Sequence, residues 1–379
     1  MRLCFSANPL SIHTQRWVSE FARRGHEVHL IDLRTPGRPA APPLPGVTYH
    51  EVPKGPLLPI PGLRGLAYYP AAAARTWNIV RKLKPALLHA HYVSEHAWTA
   101  ALSGFRPLVV TAWGGEIHAD PRRHKRRIER LLTPWTLRQA NLMTGDSGEL
   151  VRILNGYRRP DTPVHLIRFG IDPAVFKPGL DTAALRRELD LGPGPVIFSP
   201  RLFYPLYRQD VLVRAFAKVL ERHPGAQLVL KRYFADAAYT ASLEALVAEL
   251  GVGHAVRWPG ETDHAKLATF FNLADVTVSI PAADGFPVTV LEAMACGSPL
   301  VMTDLPWLED IAEVDKHILR VPVDDPDATA AALDRLLGDP ALRERLRQAN
   351  LAYVAEHGSW AREMDKMERA YEALVGRPV

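Results

Sequence analysis

Val276-Thr-Val-Ser-Ile-Pro-Ala-Ala-Asp-Gly-Phe-Pro-Val-Thr-Val-Leu-Glu-Ala-Met-Ala-Cys-Gly-Ser-Pro-Leu-Val-Met-Thr303 passes from strand to helix and back to strand. Val276–Ile280 has the β-branched density of a buried strand, and Pro281 to Gly285 breaks it. Pro287 marks a first helical position, Val288–Cys296 runs on as an apolar helix, and Gly297 with Pro299 closes it before the strand Leu300–Thr303. A loop that follows the carboxyl end of a parallel strand and opens a helix is where open α/β sheets bind ligands, and the free amides of the helix N-terminus favour a phosphate. Glu292, in the second turn, is the only charged group on this helix. A carboxylate buried there needs donors, which the hydroxyls of a ribose or hexose would supply; without a partner, burial costs several kcal/mol. A Glu292 that faces solvent or caps a neighbouring element fits the apolar surroundings less well.

Working outward, the same alternation of short β-branched runs and longer amphipathic stretches fills the chain, the pattern of parallel sheets covered by helices on both faces. Strands are expected at Arg2–Ser6, Glu27–Leu33, Val47–Val52, Ala86–Tyr92, Leu108–Trp113, Leu142–Asp146 and Val164–Phe169. The alternation then restarts with Val196–Arg201, Gln227–Arg232, Ala255–Pro259, Val276–Ile280, Leu300–Thr303 and Ile318–Val321. With 379 residues, the chain exceeds what one core usually serves, so two domains are expected. Their boundaries are placed at 1–170 and 195–359, joined by a Pro- and Gly-punctuated linker at 171–194 that contains a short helix, Thr182–Leu189. Pro53 to Pro70 is apolar but too rich in Pro and Gly for regular structure, and reads as a loop, either a binding loop or one packed on its own domain.

Composition narrows the function classes. No segment reaches the run of about 18 apolar residues that a spanning helix needs, and Met1-Arg-Leu-Cys-Phe leads directly into a strand without a signal-peptide pattern. Cys4 and Cys296 each lie in an apolar run, as reduced core thiols do, and a cytoplasmic location is expected. A net charge of +5 from 46 basic and 41 acidic residues suits anionic substrates but is far from a nucleic-acid-binding surface. Six basic residues do gather in Arg122-Arg-His-Lys-Arg-Arg-Ile-Glu-Arg130, ahead of Leu131-Leu132. They form either a solvated helix face or a peripheral contact, through Arg122–Leu132, with anionic lipid at the inner membrane face or with an anionic acceptor.

Asp284-Gly-Phe-Pro followed by Leu291-Glu-Ala-Met-Ala-Cys-Gly resembles the E-x7-E signature of retaining enzymes in glycosyltransferase family 4. The resemblance implies a GT-B fold, two Rossmann-like doubly wound domains facing a cleft, the C-terminal one binding a sugar nucleotide and the N-terminal one the acceptor. It also implies that Trp360–Leu374 crosses back, so that 360–379 pack on the first domain. Carried over, Glu292 binds the donor ribose and Asp284, Gly285 and Phe286 the sugar. The turn at Pro287 and the amides of Thr289, Val290 and Leu291 take the distal phosphate. Ser199-Pro-Arg-Leu resembles the strand end whose Arg grips the diphosphate, nominating Arg201. Val164 to Pro178 resembles the segment between the domains, and Thr111-Ala-Trp-Gly-Gly-Glu116 a first-domain loop at the cleft.

The chain departs from that pattern at four places. Asp284 is one methylene shorter than the usual Glu, and Tyr207 stands where a phosphate-binding Lys is expected. The second positive charge on the diphosphate is therefore assigned to Arg208, and next to Lys231 or Arg232. Ala7 to Thr14 replaces a Gly-rich turn and Trp113 a His, which makes His13, Trp113, Glu116 and His118 acceptor-side candidates. His89-Ala-His91 lacks a third ligand, and buried strand histidines bonded to backbone explain it better than a metal site. Asp325-Pro-Asp327 reads as a helix cap and first turn, not as a metal-binding Asp-x-Asp.

The resemblance thus implies a retaining, metal-independent glycosyltransferase moving sugar from a UDP- or GDP-linked donor to a hydroxyl acceptor, a glycan, a lipid-linked compound or a small molecule, with no resident cofactor. A sugar-nucleotide epimerase or phosphorylase would need an acid/base set or a cofactor lysine that is not evident. A non-catalytic sugar-nucleotide binder remains the alternative from another class, and a dehydrogenase would need a G-x-G-x-x-G after the first strand.

Overall fold

The computed structural model describes residues 1–34, 37–53, 64–114, 116–117, 127–232, 235–260, 263–311 and 313–376. All thirteen expected strands form, several of them shorter than the apolar run that announces them and two, the second and third, one residue longer. They are β1 (Arg2–Ser6), β2 (Glu27–Arg34), β3 (Val47–Pro53), β4 (Leu87–His91), β5 (Leu108–Ala112), β6 (Leu142–Gly145) and β7 (Val164–Leu166), then β8 (Val196–Ser199), β9 (Gln227–Leu230), β10 (Val256–Arg257), β11 (Val276–Ser279), β12 (Leu300–Thr303) and β13 (Ile318–Val321). Contacts divide the chain into one unit of Met1–Arg168 with Arg362–Val379, and a second of Phe169–Ala361.

The first unit is a seven-stranded sheet in the order β3-β2-β1-β4-β5-β6-β7. Its strands are parallel, with Leu3 level with Val28 on one side and Leu87 on the other. Helices on both faces bury the sheet, so Leu3, Cys4 and Phe5 are all fully inaccessible. Burial pushes the Cys4 thiol up to about 12, which keeps it protonated. The chain's last helix, Trp360–Val375, contributes Met364, Met367 and Tyr371, all fully buried. Arg24 of this unit reaches Asp365 at 2.7 Å and Glu368 at 2.6 Å on that helix. The Tyr371 hydroxyl meets His89 Nδ1 at 2.5 Å, and His89 Nε2 meets Thr111 Oγ1 at 2.6 Å. His89 is thus held by side chains, where a backbone partner was expected, and Thr111 passes the chain on to Thr144 at 2.6 Å.

One expectation fails in this unit. Pro53–Pro70 was to be irregular throughout, yet a helix spans Arg64–Leu83 and contains Pro70; residues 54–63 lie outside those described. A proline inside a helix forfeits one backbone bond and crowds the preceding turn. Here the turns that follow carry it, because Ala72, Thr76 and Val80 recur at helical spacing and are buried.

The second unit is a six-stranded parallel sheet in the order β10-β9-β8-β11-β12-β13. Residue alternation divides its two cores. Val196 and Phe198 face one side, with Phe270, Leu291 and Met294 of covering helices, whereas Ile197 faces the other, with Leu212, Phe216 and Leu333. The segment 171–194, expected as a linker, is packed into this unit, with Ile171, Phe176, Leu185 and Leu189 in the first of these cores. Its short helix is Ala183–Glu188. Asn272 fastens it by donating to Lys177 O at 2.9 Å and accepting from Leu180 N at 3.2 Å. At the end of the segment a Cβ on Gly194 would lie 1.9 Å from Gly225 O, so only glycine lets the two backbones approach. Asp325 caps the Pro326–Gly338 helix, accepting from Ala328 N at 2.8 Å, as its sequence predicts.

Candidate functional site

In the second unit the strand order reverses between β8 and β11, and a doubly wound sheet offers its crevice at such a switch point, beyond the carboxyl ends of the two strands. Arg201 lies just past β8 and Asp284 in the loop after β11, and the two form an ion pair there. Arg201 is 8% exposed and its guanidinium carbon sits 4.3 Å from the centre of the Tyr207 ring. Tyr207, found where a lysine was expected, therefore supplies a π-face that holds Arg201 flat. Burial raises the Tyr207 phenol's pKa, against the pull of Arg201, so the ring stays neutral. Gln209 steadies the far side, donating to Ser199 Oγ and to Arg201 O, both at 3.0 Å. The loop is fixed by Ala282 N donating to Leu206 O at 2.8 Å and Thr303 Oγ1 donating to Pro281 O at 2.8 Å. Asp284 Oδ1 accepts from Gly285 N at 3.0 Å.

The expected second cation is differently placed. Arg208 adopts a left-handed φ of 52° as it enters the Gln209–Arg222 helix, and its guanidinium pairs with Asp324 and donates to Pro205 O at 2.6 Å. It is committed to the fold. Arg232 faces outward, 3.5 Å from the exposed Glu244. Lys231 is the inward member of that pair, 5% exposed, its amide donating to Ser199 O at the end of β8.

The helix after the loop spans Val288–Ala295, with Pro287 as its cap, so it begins one place later than the sequence suggests. Val290, one of the three nominated amides, donates to Pro287 O at 3.0 Å. Those of Val288 and Thr289 meet no acceptor among the described residues, and neither does the buried Thr289 hydroxyl. Phe286 is 2% exposed and packs edge-on against Trp307 at 5.2 Å, so its side chain is core and only its backbone faces the site. Gly297, at φ +74°, ends the helix as a residue without a Cβ can. Glu292 is 1% exposed, and among the described residues neither of its oxygens accepts a directed hydrogen bond. His264 Nε2 stands 2.8 Å from Glu292 Oε1, too poorly aimed to count as one but close enough to pair when the imidazole is charged. No motif marks His264; only its position in space reveals it. One turn beyond Glu292, the Cys296 thiol is pushed up to about 12 by burial and by the Glu292 carboxylate.

A buried carboxylate, a cation at a switch point and open amides at a helix start thus stand together at the carboxyl end of the second sheet. The family model described as "Glycosyl transferases group 1" matches residues 182–352, and that described as "Glycosyl transferase 4-like" matches 2–147. The chain is a glycosyltransferase. It is 27% identical to the D-inositol 3-phosphate glycosyltransferase of Acidothermus cellulolyticus, over 93% of this chain and 82% of that one. To the enzyme of the same name from Segniliparus rotundus it is 28% identical, over 97% and 85%. Among solved structures it is similar to sucrose-phosphate synthase from Thermosynechococcus elongatus (TM-score 0.85, 22% identity, 99% of each chain). It is also similar to Anabaena HepE in complex with UDP (TM-score 0.81, 16% identity, 99% and 100%). These likenesses give the glycosyltransferase the GT-B fold.

In the first unit of the glycosyltransferase, the acceptor-side candidates have separate roles. His13 and Trp113 meet edge to face at 5.4 Å. Glu116 is a brace, its Oε1 accepting from Trp113 N at 2.9 Å and Val93 N at 3.2 Å, which fixes the loops after β5 and β4. His118 lies outside the described residues, as do 122–126 of the basic stretch. What is described of that stretch opens the Arg127–Gln139 helix, on which Leu131 is 74% and Trp135 37% exposed. No helix among the described residues is long and apolar enough to cross a membrane. His91, set aside as a metal ligand, is the polar group that sequence reading undervalued. It is 1% exposed, neither ring nitrogen has a hydrogen bond among the described residues, and burial drives its pKa to about 3, so it is a neutral imidazole beside Trp113 at 5.1 Å. Nearby Ser6 Oγ lies 3.3 Å from His96 Nδ1, and a buried Asp32 pairs with Arg38.

Proposed function

We propose that this glycosyltransferase transfers a hexosyl group from a nucleoside diphosphate sugar to a hydroxyl of a small or lipid-linked acceptor, with its second unit as the donor site. The observation that carries this is Glu292, a fully buried carboxylate without a directed hydrogen bond, on a helix whose first amides are open. A ribose diol provides two donors to such a carboxylate and thereby offsets its desolvation. The diphosphate then lies between Arg201 and the start of the Val288–Ala295 helix, where partial positive charge and free N–H groups await it. As the glycosidic bond lengthens, an oxocarbenium-like centre forms and negative charge collects on the diphosphate; Arg201 and the helix amides stabilise that charge. Arg201 leaves Asp284 for the phosphate, which frees Asp284 to accept from a sugar hydroxyl. The anomeric configuration is retained, and the departing phosphate assists in removing the acceptor proton.

A uridine or guanosine diphosphate sugar is the donor to try first, since the Anabaena protein of the same fold was solved with UDP and with UDP-glucose. The names of the relatives make a phosphorylated polyol the first acceptor to test. Incubation with UDP-, GDP- and ADP-glucose, with and without inositol 3-phosphate, should release free nucleotide from one of the three, faster with a suitable acceptor. Absence of release from every donor, with binding also absent, would overturn the assignment.

A further inference from the structure

We propose that His264 is a positioning residue of the donor site: its imidazole occupies the place at Glu292 that a ribose diol must take, so nucleotide and imidazole compete for one carboxylate. The proposal rests on the donor site above and adds to it a residue that no motif assigns. The two partners differ in freedom. Glu292 belongs to a helix whose neighbouring residues Leu291, Ala293 and Met294 are at most 1% exposed, so its carboxylate cannot retreat. His264 belongs to a single three-residue turn, its side chain is 35% exposed, and Phe176 touches its ring from one side at 5.3 Å. The imidazole is the partner that can swing away.

Lys266, on the same turn, is held by Glu188 at 2.9 Å, and Cys296, one turn from Glu292, remains a neutral thiol. Asp263, which precedes His264, and Lys177, whose carbonyl is held by Asn272, belong to the segments packed on either side. Lower pH favours an imidazolium over the neutral imidazole, and an imidazolium grips a carboxylate more tightly than the neutral ring does. A nucleotide arriving at Glu292 must then displace a stronger competitor, so donor binding weakens as pH falls and releases a proton.

The test is calorimetric titration of UDP-glucose and GDP-glucose, whose diphosphates have no ionisation of their own in this range, into the intact wild-type protein, His264→Ala and His264→Phe at about pH 6 and about pH 8. The phenyl ring keeps the packing on Phe176 and cannot donate a hydrogen bond. Wild type should bind more tightly at the higher pH. Both variants should bind about three- to tenfold more tightly than wild type at the lower pH, the worth of one modest charged contact, with the pH dependence flattened. Weaker binding by the variants would make His264 a direct contact of the nucleotide, and an unaltered pH dependence would remove it from the site; either outcome overturns the proposal. Wild-type binding at the higher pH reports separately on the donor site itself.

Discussion

Replacing Arg201 with alanine is expected to lower kcat/KM by about 10²–10³-fold, the usual loss when one preorganised donor to a developing oxyanion is removed. Arg201 leads the candidates for three physical reasons. It sits at the switch point of the sheet, its backbone carbonyl is held by Gln209, and its guanidinium is stacked on Tyr207. Once it has left Asp284, a guanidinium stacked in this way loses little further freedom when charge appears on the leaving phosphate. The alternative cation, Arg208, is already committed to Asp324 and Pro205. Arg201→Lys should recover only part of the loss, since an ammonium keeps the charge but neither the planar fork nor the stacking. The fold should survive, because the Asp284 side chain left behind is 22% exposed and can hydrate. Steady-state kinetics at saturating acceptor would decide the matter: a loss below about tenfold would place the leaving-group charge elsewhere.

The second large effect couples affinity to stability in opposite directions. Glu292→Gln keeps shape and volume but replaces a charged acceptor with a neutral amide, and hydrogen bonds to a charged group are worth about 1.5–3 kcal/mol, or roughly 10–100-fold in nucleotide affinity. In the folded protein the same change removes an almost fully buried carboxylate that accepts no directed hydrogen bond among the described residues. Such a charge is a standing cost to the folded state. The variant should therefore bind nucleotide far more weakly and melt at the same temperature as wild type or above it. A fall in both affinity and melting temperature would make Glu292 a structural anchor. A destabilised binding residue of this kind is what selection for function leaves in an otherwise well-packed core.

Why some of this was legible in the chain and some was not comes down to range. Strands buried on both faces are continuous apolar runs, so all thirteen could be placed, and trimming at their ends, as at Ala86–Tyr92 against Leu87–His91, reflects hydrogen bonding that stops before the hydrophobicity does. Glu292 was legible because a lone charge on an apolar helix is a local anomaly. Asp325 and Pro326 were legible because capping is decided within four residues. Pro70 misled because a local helix-breaking rule yielded to the burial of Ala72, Thr76 and Val80 in later turns. The segment 171–194 misled because its Pro and Gly content gives no sign that Phe176 and Leu185 enter the second unit's core. His264 and Glu292 lie on separate elements and meet only where the turn that carries His264 packs on the Val288–Ala295 helix, and the commitment of Arg208 to Asp324 is likewise tertiary. Family resemblance supplied the roles of Arg201 and Asp284; their mutual ion pair is a property that resemblance did not carry.

The most direct test is a crystal structure of the protein soaked with UDP-glucose or GDP-glucose, whichever it binds. The diphosphate should lie within hydrogen-bonding distance of Arg201 and of the amides of Val288 and Thr289, the Arg201–Asp284 pair should be broken, and both ribose hydroxyls should sit on Glu292 with His264 turned away. A nucleotide bound elsewhere, with Arg201 still on Asp284 and Glu292 untouched, would contradict the assignment of the donor site.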